Sequence, residues 1–227
     1  MEATETDIMN KEKIILIGAG QHCRVVLYNV REQNRYHVVG ILDGDPQKAG
    51  TYVGGIPILG NYDRETLDRI QVEYDVHKFF ISFGAMKYRK AVFEYMVGQG
   101  WTPVNIIHPD AVISSDARIG KGVLIECGCL ITPNPVIGDN VVVNTGSQVN
   151  HDNVVEDHVY IASGVVLSGG VTIKQNTLID DGVIVTLGTT VGENCIIGAG
   201  AVVTKDIEDH VICYGNPARV IRPNDKY

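Results

Sequence analysis

The chain has 227 residues, a length that allows one large domain or two small ones. Charged residues make up 20% of it, and its net charge is −8. The acidic balance argues against a nucleic-acid-binding protein, because such proteins need a basic surface to neutralise phosphates. No apolar run is long enough to cross a bilayer, and residues 1–10 lack the basic and apolar regions of a secretion signal. Together with five scattered cysteines, these features predict a cytoplasmic protein without membrane insertion.

The first half of the chain alternates strand and helix patterns, after a polar start that we expect to be a disordered tail over residues 1–12. Three short apolar runs are typical of buried parallel strands: 13–17, 38–42 and 79–83. Two stretches carry apolar residues at helical spacing: 24–31 and 87–97. This order predicts a small parallel sheet with helices, a Rossmann-like domain over residues 13–106.

From Ile107 the pattern changes to a six-residue repeat. An aliphatic residue occupies every sixth position from Ile107 to Val203, 17 times in one register. The fifth position of each six is mostly small or β-branched, with Pro135 and Asn153 as the exceptions. A strand with a corner at every repeat explains this period, and three such strands close one triangular coil. We therefore predict a parallel β-helix over residues 107–227 rather than a β-sandwich.

Two sets of motifs carry a family resemblance. The repeat has glycine-containing corners at Ile137-Gly-Asp-Asn, Val191-Gly-Glu-Asn and Ile197-Gly-Ala-Gly, and it is followed by the tail sequence Gly215-Asn-Pro-Ala-Arg. These features resemble the left-handed β-helix acyltransferases. The left hand of the helix is implied by that resemblance alone. A more specific set resembles the bacterial sugar acetyltransferases of the bacillosamine, perosamine and sialic acid modification pathways: Gly18-Ala-Gly-x-His, the Leu-Asp ending at Asp43, Ile107-His-Pro and Asn150-His-Asp.

The resemblance implies a function for each half of the chain. In the N-acetylating members, the small domain binds a nucleotide-linked 4-amino sugar used in surface polysaccharide (O-antigen) biosynthesis, and the β-helix binds acetyl-CoA. Those proteins are homotrimers with sites between subunits. Asn144 matches a family position beside the acetyl group, and Tyr160 stands where some relatives have a second histidine. Gly198 and Ala199 are expected to flank the pantetheine arm.

His151 is the best candidate for the general base that acetyl transfer to an amine requires. It lies near a coil corner, and Asp152 can hydrogen-bond its ring. Gly169 follows three repeats later, which places it at the same corner one coil on, and it matches the family position whose amide faces the thioester carbonyl. We predict His151 as base, Asp152 as its partner and the Gly169 N–H as oxyanion donor.

The glycine turn after the first strand is a candidate phosphate site. Gly18 and Gly20 precede a predicted helix, where backbone N–H groups can meet a phosphate. Because the third glycine of the dinucleotide fingerprint is missing, a single nucleotide diphosphate is favoured over NAD. His22, Asp43 and Gly84 are expected to line the same crevice and contact the sugar nucleotide.

Two alternatives stay open from the sequence. The protein could O-acetylate a free sugar such as sialic acid, or it could be a non-catalytic β-helix scaffold. The cysteines and histidines show no zinc-ligand spacing, so we expect no metal. The sequence does not distinguish UDP, dTDP or GDP as the nucleotide.

Overall fold

The computed structural model describes residues 11–225, which form two compact units. The first unit comprises residues 11–84 and 91–106, and the second comprises residues 85–90 and 107–225. Residues 1–10, most of the expected tail, lie outside the described residues, and the first strand already begins at Glu12. No helix within residues 11–225 is long and apolar enough to cross a membrane.

The first unit is built on a six-stranded sheet in the order β3-β4-β2-β1-β5-β6. The strands are β1 (Glu12–Ile17), β2 (Tyr36–Leu42), β3 (Tyr52–Val53), β4 (Ile56–Gly60), β5 (Lys78–Ile81) and β6 (Thr102–Pro103). The helices are α1 (Gln21–Gln33), α2 (Arg64–Tyr74) and, from residue 91 on, α3 (Met86–Gly98), with a 3₁₀ turn at Pro46–Lys48. All pairings are parallel except β3 with β4.

The burial pattern explains why β1 takes the centre of this sheet. Its residues Ile14 to Ile17 are fully buried. A strand that is apolar along its whole length is stable only where both faces of the sheet are covered, as they are at its centre. It pairs with β2 on one side and β5 on the other, so that Ile17 lies level with Leu42 and Ile81. The segments that follow these three strands therefore meet at one edge of the sheet.

The second unit is a β-helix of 17 two-residue strands, from β7 (Ile106–Ile107) to β23 (Val202–Val203). Each strand pairs in parallel with the third strand after it, as Val142 does with Tyr160. The pairings form three faces. The first face contains β7, β10, β13, β16, β19 and β22, the second β8, β11, β14, β17, β20 and β23, and the third β9, β12, β15, β18 and β21. The first face is extended by β24 (Val211–Tyr214) and the antiparallel β25 (Arg219–Pro223).

The repeating aliphatics fill the inside of the coils. From Ile125 to Val203 the first position of every repeat is buried, while the earlier ones are half-buried against the core. Cys129 and Cys195 occupy buried fifth positions. Asn153, one of the two exceptions, is also buried, because its side chain accepts the Val171 N–H at 2.7 Å. The predicted fold class, an α/β domain followed by a left-handed parallel β-helix, is confirmed.

Candidate active site

We name the corners of the β-helix after the faces they follow, so that His151 lies at the second corner, after β14 (Gln148–Val149). Its Nδ1 lies 2.9 Å from Asp152 Oδ2, and both side chains are more than half exposed. Asp152 has a left-handed backbone (φ 61°), and its other oxygen accepts from Asn134 Nδ2 at 2.7 Å. The hydrogen bonds with His151 and then Asn134 hold the pKa of the Asp152 carboxyl below its usual value. With Nδ1 engaged, Nε2 is the ring nitrogen left for a substrate.

Gly169 lies directly beneath the His151 ring, as the three-repeat coil indicates. A Cβ at Gly169 would lie 2.3 Å from both Cε1 and Nε2 of His151. The backbone of Gly169 is not left-handed, so a glycine is needed here for space and not for conformation. The next residue, Gly170, has φ +66°, and its N–H donates to the His151 carbonyl at 2.8 Å. This bond fixes the two turns against each other.

The Gly169 N–H has no hydrogen-bond acceptor among the described residues. Seven of the equivalent N–H groups at the other two corners are instead capped by acidic side chains of their own or a neighbouring coil. At the first corner the capped amides are those of Thr145, Ser163 and Asp181, and at the third corner those of Lys121, Asp139, Gln175 and Glu193. At the second corner the chain leaves this amide open beside the candidate base, as an oxyanion donor requires.

Asn144 and Tyr160 lie at a different place from His151. Asn144 Nδ2 donates to Tyr160 Oη at 3.1 Å, at the first corner and on the first face. His151 is one side of the triangle further along the chain, about six extended residues or about 20 Å. Within one chain, the predicted catalytic and donor-binding residues therefore fall into two groups, and His151, Asp152 and Gly169 form only one of them.

The first corner also carries the residues expected to bind the donor arm. Ala199 lies three coils beyond Asn144 on this corner, about 14 Å along the axis. Its N–H has no acceptor within residues 11–225, unlike the capped amides below it. Gly198 is covered by the ring of Tyr214, since a Cβ there would lie 1.8 Å from the ring. Sequence reasoning missed Tyr214, because the repeat ends at Val203 and no register leads to it.

In the first unit, the predicted nucleotide-binding residues meet at the carboxyl edge of the sheet. Gly18 has φ +108°, and a Cβ there would lie 2.5 Å from the Phe83 ring, next to Gly84. Gly20 caps α1 with open space around it, and His22 lies in the first turn of that helix. Backbone N–H groups at the start of a helix favour an anion at this edge.

Asp43 forms a clamp around this turn. Its Oδ2 accepts from the Ala19 N–H at 2.6 Å and from Lys48 Nζ at 3.0 Å, and its Oδ1 from the Asp45 N–H at 2.9 Å. Burial alone would raise the pKa of Asp43, but these donors hold it below its usual value. The carboxylate shapes the glycine turn, and its contact with a nucleotide stays a prediction.

A cavity of about 320 Å³ adjoins Asp43 in the same unit. It is lined by Gly44, Asn61, Tyr62, Asp63 and Tyr95. The residues of this cavity lie mostly between the predicted strands, in a segment where the sequence showed no clear period.

Two other groups of residues have structural surroundings. His158 is buried, has φ 62° and bonds to Asn140 at 3.0 Å, within a column of stacked corner residues. His108 is buried and accepts the Asp110 N–H through Nδ1 at 3.1 Å. Within residues 11–225, no group of three or more His, Cys, Asp or Glu side chains is placed to hold a metal ion.

Comparisons with known proteins agree with this arrangement. Residues 13–96 match the family model of the PglD N-terminal domain, and residues 170–205 match the bacterial transferase hexapeptide model (six repeats). A search of curated protein sequences gives no significant match.

Among solved structures, a histidine-to-asparagine mutant of perosamine N-acetyltransferase from Caulobacter crescentus, in complex with CoA and GDP-perosamine, is 31% identical with a TM-score of 0.86, over 92% of this chain and 97% of that one. The acetyltransferase domain of PglB from Neisseria gonorrhoeae, in complex with acetyl coenzyme A, is 31% identical with a TM-score of 0.83, over 93% of this chain and 100% of that one. WeeI from Acinetobacter baumannii is 26% identical with a TM-score of 0.75, over 93% of this chain and 100% of that one.

Proposed function

Because the chain belongs to the hexapeptide-repeat sugar N-acetyltransferases, we propose that it transfers an acetyl group from acetyl-CoA to a nucleotide-linked 4-amino-4,6-dideoxy sugar in surface glycan biosynthesis. The predicted family, enzyme class and coenzyme A donor are confirmed by this membership. The observation that carries the proposal is the His151–Asp152 pair stacked on Gly169 beside an open amide.

The proposed reaction is a direct transfer. The neutral amine attacks the thioester carbon while His151 Nε2 takes the proton that the amine loses. Asp152 holds Nδ1 and stabilises the imidazolium that forms. The Gly169 N–H donates to the oxyanion of the tetrahedral intermediate, which then expels the thiolate of CoA. No acyl-enzyme is needed, because the amine is the nucleophile.

The donor is proposed to lie along the first corner, with the thioester near Asn144 and Tyr160 and the pantetheine arm passing Ala199 and Gly198. The distance from Asn144 to Ala199, about 14 Å, suits an extended pantetheine arm. Since His151 lies a triangle side away, one copy of the chain has to supply the base and a second copy the donor corner. We therefore place the active site between subunits of a homotrimer.

The outer surface of the second face supports that assembly. Its outward side chains are mostly apolar, and three of them remain well exposed in the single chain: Val112, Leu130 and Ile184 at 63%, 39% and 41%. Exposed apolar side chains in a row along one face are typical of a surface that another subunit covers. This face ends at the second corner, beside His151.

On the acceptor side, we propose that the turn at Gly18 and Gly20 holds the phosphates and that His22, Asp43 and Gly84 face the nucleotide or the sugar. The positive end of the α1 dipole and the open space around Gly20 support a diphosphate here. The cleft beside Asp43 offers space in this unit for the rest of the ligand.

The test is an acceptor panel with acetyl-CoA and detection of released thiol. We expect thiol release with at least one of the UDP-, dTDP- or GDP-linked 4-amino-4,6-dideoxy sugars and no release with free sialic acid. Transfer to free sialic acid alone would overturn the N-acetylation proposal in favour of O-acetylation. Transfer to no acceptor, with no acetyl-CoA binding, would favour the scaffold.

A further inference from the structure

Tyr160 is surrounded by buried polar groups that the proposed reaction does not yet use. Glu126 and Asn144 occupy the second position of their repeats, at the first corner of two successive coils. Their backbones are therefore about 5 Å apart. Glu126 Oε2 accepts from the Thr145 N–H at 3.2 Å and from its hydroxyl at 2.6 Å. Arg89, in the 85–90 segment of the same unit, acts electrostatically on Tyr160 together with Glu126.

Both charged residues are almost completely buried, Arg89 at 1% and Glu126 at 4% exposure. Burial lowers the pKa of Arg89 to about 10, which leaves it charged at neutral pH. Burial is the largest cause of a raised pKa at Tyr160, the Asn144 hydrogen bond and the Arg89 charge oppose it, and Glu126 adds to it. Arg89 and Glu126, two buried groups of opposite charge, therefore both act on the Tyr160 phenol. Burying such charges costs free energy that apolar side chains in the same place would not cost.

The cluster is not closed on itself. Within residues 11–225, Glu126 Oε1 and Asn144 Oδ1 have no hydrogen-bond donor, although Glu126 is 4% and Asn144 8% exposed. Buried acceptors without a donor are rare in structures that serve stability alone. Hydrogen-bonding capacity is therefore left over next to the phenol, where the acetyl end of the donor is proposed to lie.

We propose that Glu126 and Arg89 are positioning residues that act through Tyr160, holding its hydroxyl and the Asn144 amide in the orientation that meets the acetyl thioester. The inference rests on the proposed contact between Tyr160 and the donor. Glu126 fixes the corner by capping Thr145, and the charge of Arg89 makes the Tyr160 hydroxyl a stronger hydrogen-bond donor.

The test is a double-mutant cycle on the affinity for acetyl-CoA, with free CoA as the comparison ligand and calorimetry as the readout. We expect Glu126→Gln and Arg89→Lys each to weaken acetyl-CoA binding by about 3- to 10-fold, the range of one hydrogen bond. In a Tyr160→Phe protein, the same substitutions should change it less than about twofold, because coupled residues are not additive. Binding of free CoA, which lacks the acetyl group, should stay unchanged.

Glu156→Gln is the matched control. Like Glu126, Glu156 occupies the second position of its repeat, and it accepts a hydrogen bond of 2.9 Å from the N–H of Gln175 in the next coil. It differs in that it lies at the third corner. It should leave acetyl-CoA affinity unchanged. Equal losses with and without Tyr160, or an equal loss in Glu156→Gln, would overturn the proposal. If Arg89→Lys does not fold, the Glu126→Gln cycle decides alone. Because the readout is binding, a protein that binds acetyl-CoA but acetylates no sugar would refute the proposed function and leave this cycle to be judged separately.

Discussion

Replacing Gly169 by alanine should separate the geometry of the site from the stability of the coil. The new methyl carbon would lie 2.3 Å from two atoms of the His151 ring. An ordinary carbon contact is about 3.5 Å, so the ring has to withdraw by about 1.2 Å. A displacement of about 1 Å at a catalytic group costs about 100-fold in rate, or about 2.7 kcal/mol of transition-state stabilisation.

Folding should hardly be affected by this change. Gly169 does not need a left-handed backbone, and the atoms in the way belong to a side chain that is 59% exposed and free to turn aside. We expect the free energy of unfolding to change by less than about 0.5 kcal/mol. The assay is thiol release at saturating acetyl-CoA, with thermal unfolding measured on the same samples.

The neighbouring glycine provides the opposite control. Gly170 has φ +66°, and a Cβ there would find its nearest atom at 3.9 Å. Gly170→Ala should therefore cost about 1–2 kcal/mol of stability through backbone strain while the rate stays close to that of the unmodified protein. If Gly169→Ala keeps its rate within about threefold, or if both variants lose rate equally, the proposed stacking of His151 on Gly169 has no catalytic role.

Three further predictions concern other parts of the molecule. His151→Asn should lower kcat by about 10²- to 10⁴-fold and leave the affinity for acetyl-CoA unchanged, which calorimetry checks; a variant with full activity would remove His151 as the base. Asp43→Ala should raise KM for the sugar nucleotide by about 10-fold or more without changing KM for acetyl-CoA, because the glycine turn loses its clamp; equal changes in both constants would contradict a separate acceptor site. Asn153→Ala should destabilise the β-helix by about 1–3 kcal/mol, since the Val171 N–H loses its acceptor in the core, and an unchanged midpoint in urea would refute this account.

The β-helix was predictable because its signal repeats. Each coil must bury its first position and pair with the coil three repeats away, so one register determines the core, the strands and the corner on which each residue lies. For this reason the sequence alone placed Gly169 next to His151. The same register also separates Asn144 from His151 by a full side of the triangle, a consequence that is easily overlooked when family positions are grouped by function.

Elements without a repeat were harder to predict. Helix α2 was missed because it is mostly polar and buries only Leu67 and Ile70, too few to show a helical period. The short strands β3 and β4 were missed for a similar reason, since two to five residues carry little alternation. Helix α1 was predicted but extends further than expected on both sides, because its ends are polar and are defined by the Gly20 and Asn34 caps.

The surroundings of Tyr160 depend on contacts between distant parts of the chain, and no periodicity indicates them. Arg89 comes from the helix that precedes the β-helix, and its position relative to Tyr160 follows from tertiary packing alone. Tyr214 covers Gly198 only because the chain leaves the repeat and returns as β24. Arg89 and Tyr214 can therefore be found only from burial and contacts in the structure. Each lies next to a residue, Tyr160 or Gly198, that the sequence had already indicated.

The separation of the two groups of site residues has a measurable consequence. The measurement needs only one acceptor that supports activity, and the natural sugar need not be known. If His151 of one copy works with Asn144 of another, a trimer that mixes His151→Ala chains with Asn144→Ala chains contains some sites with both residues intact. Random assembly of equal amounts gives such a site at about one interface in four, so about a quarter of the unmodified activity should return. Each variant assembled alone should show only its own residual rate. If the mixture shows no more than the mean of the two variants, both residues of every site come from the same chain, and the proposed placement of the active site between subunits is wrong.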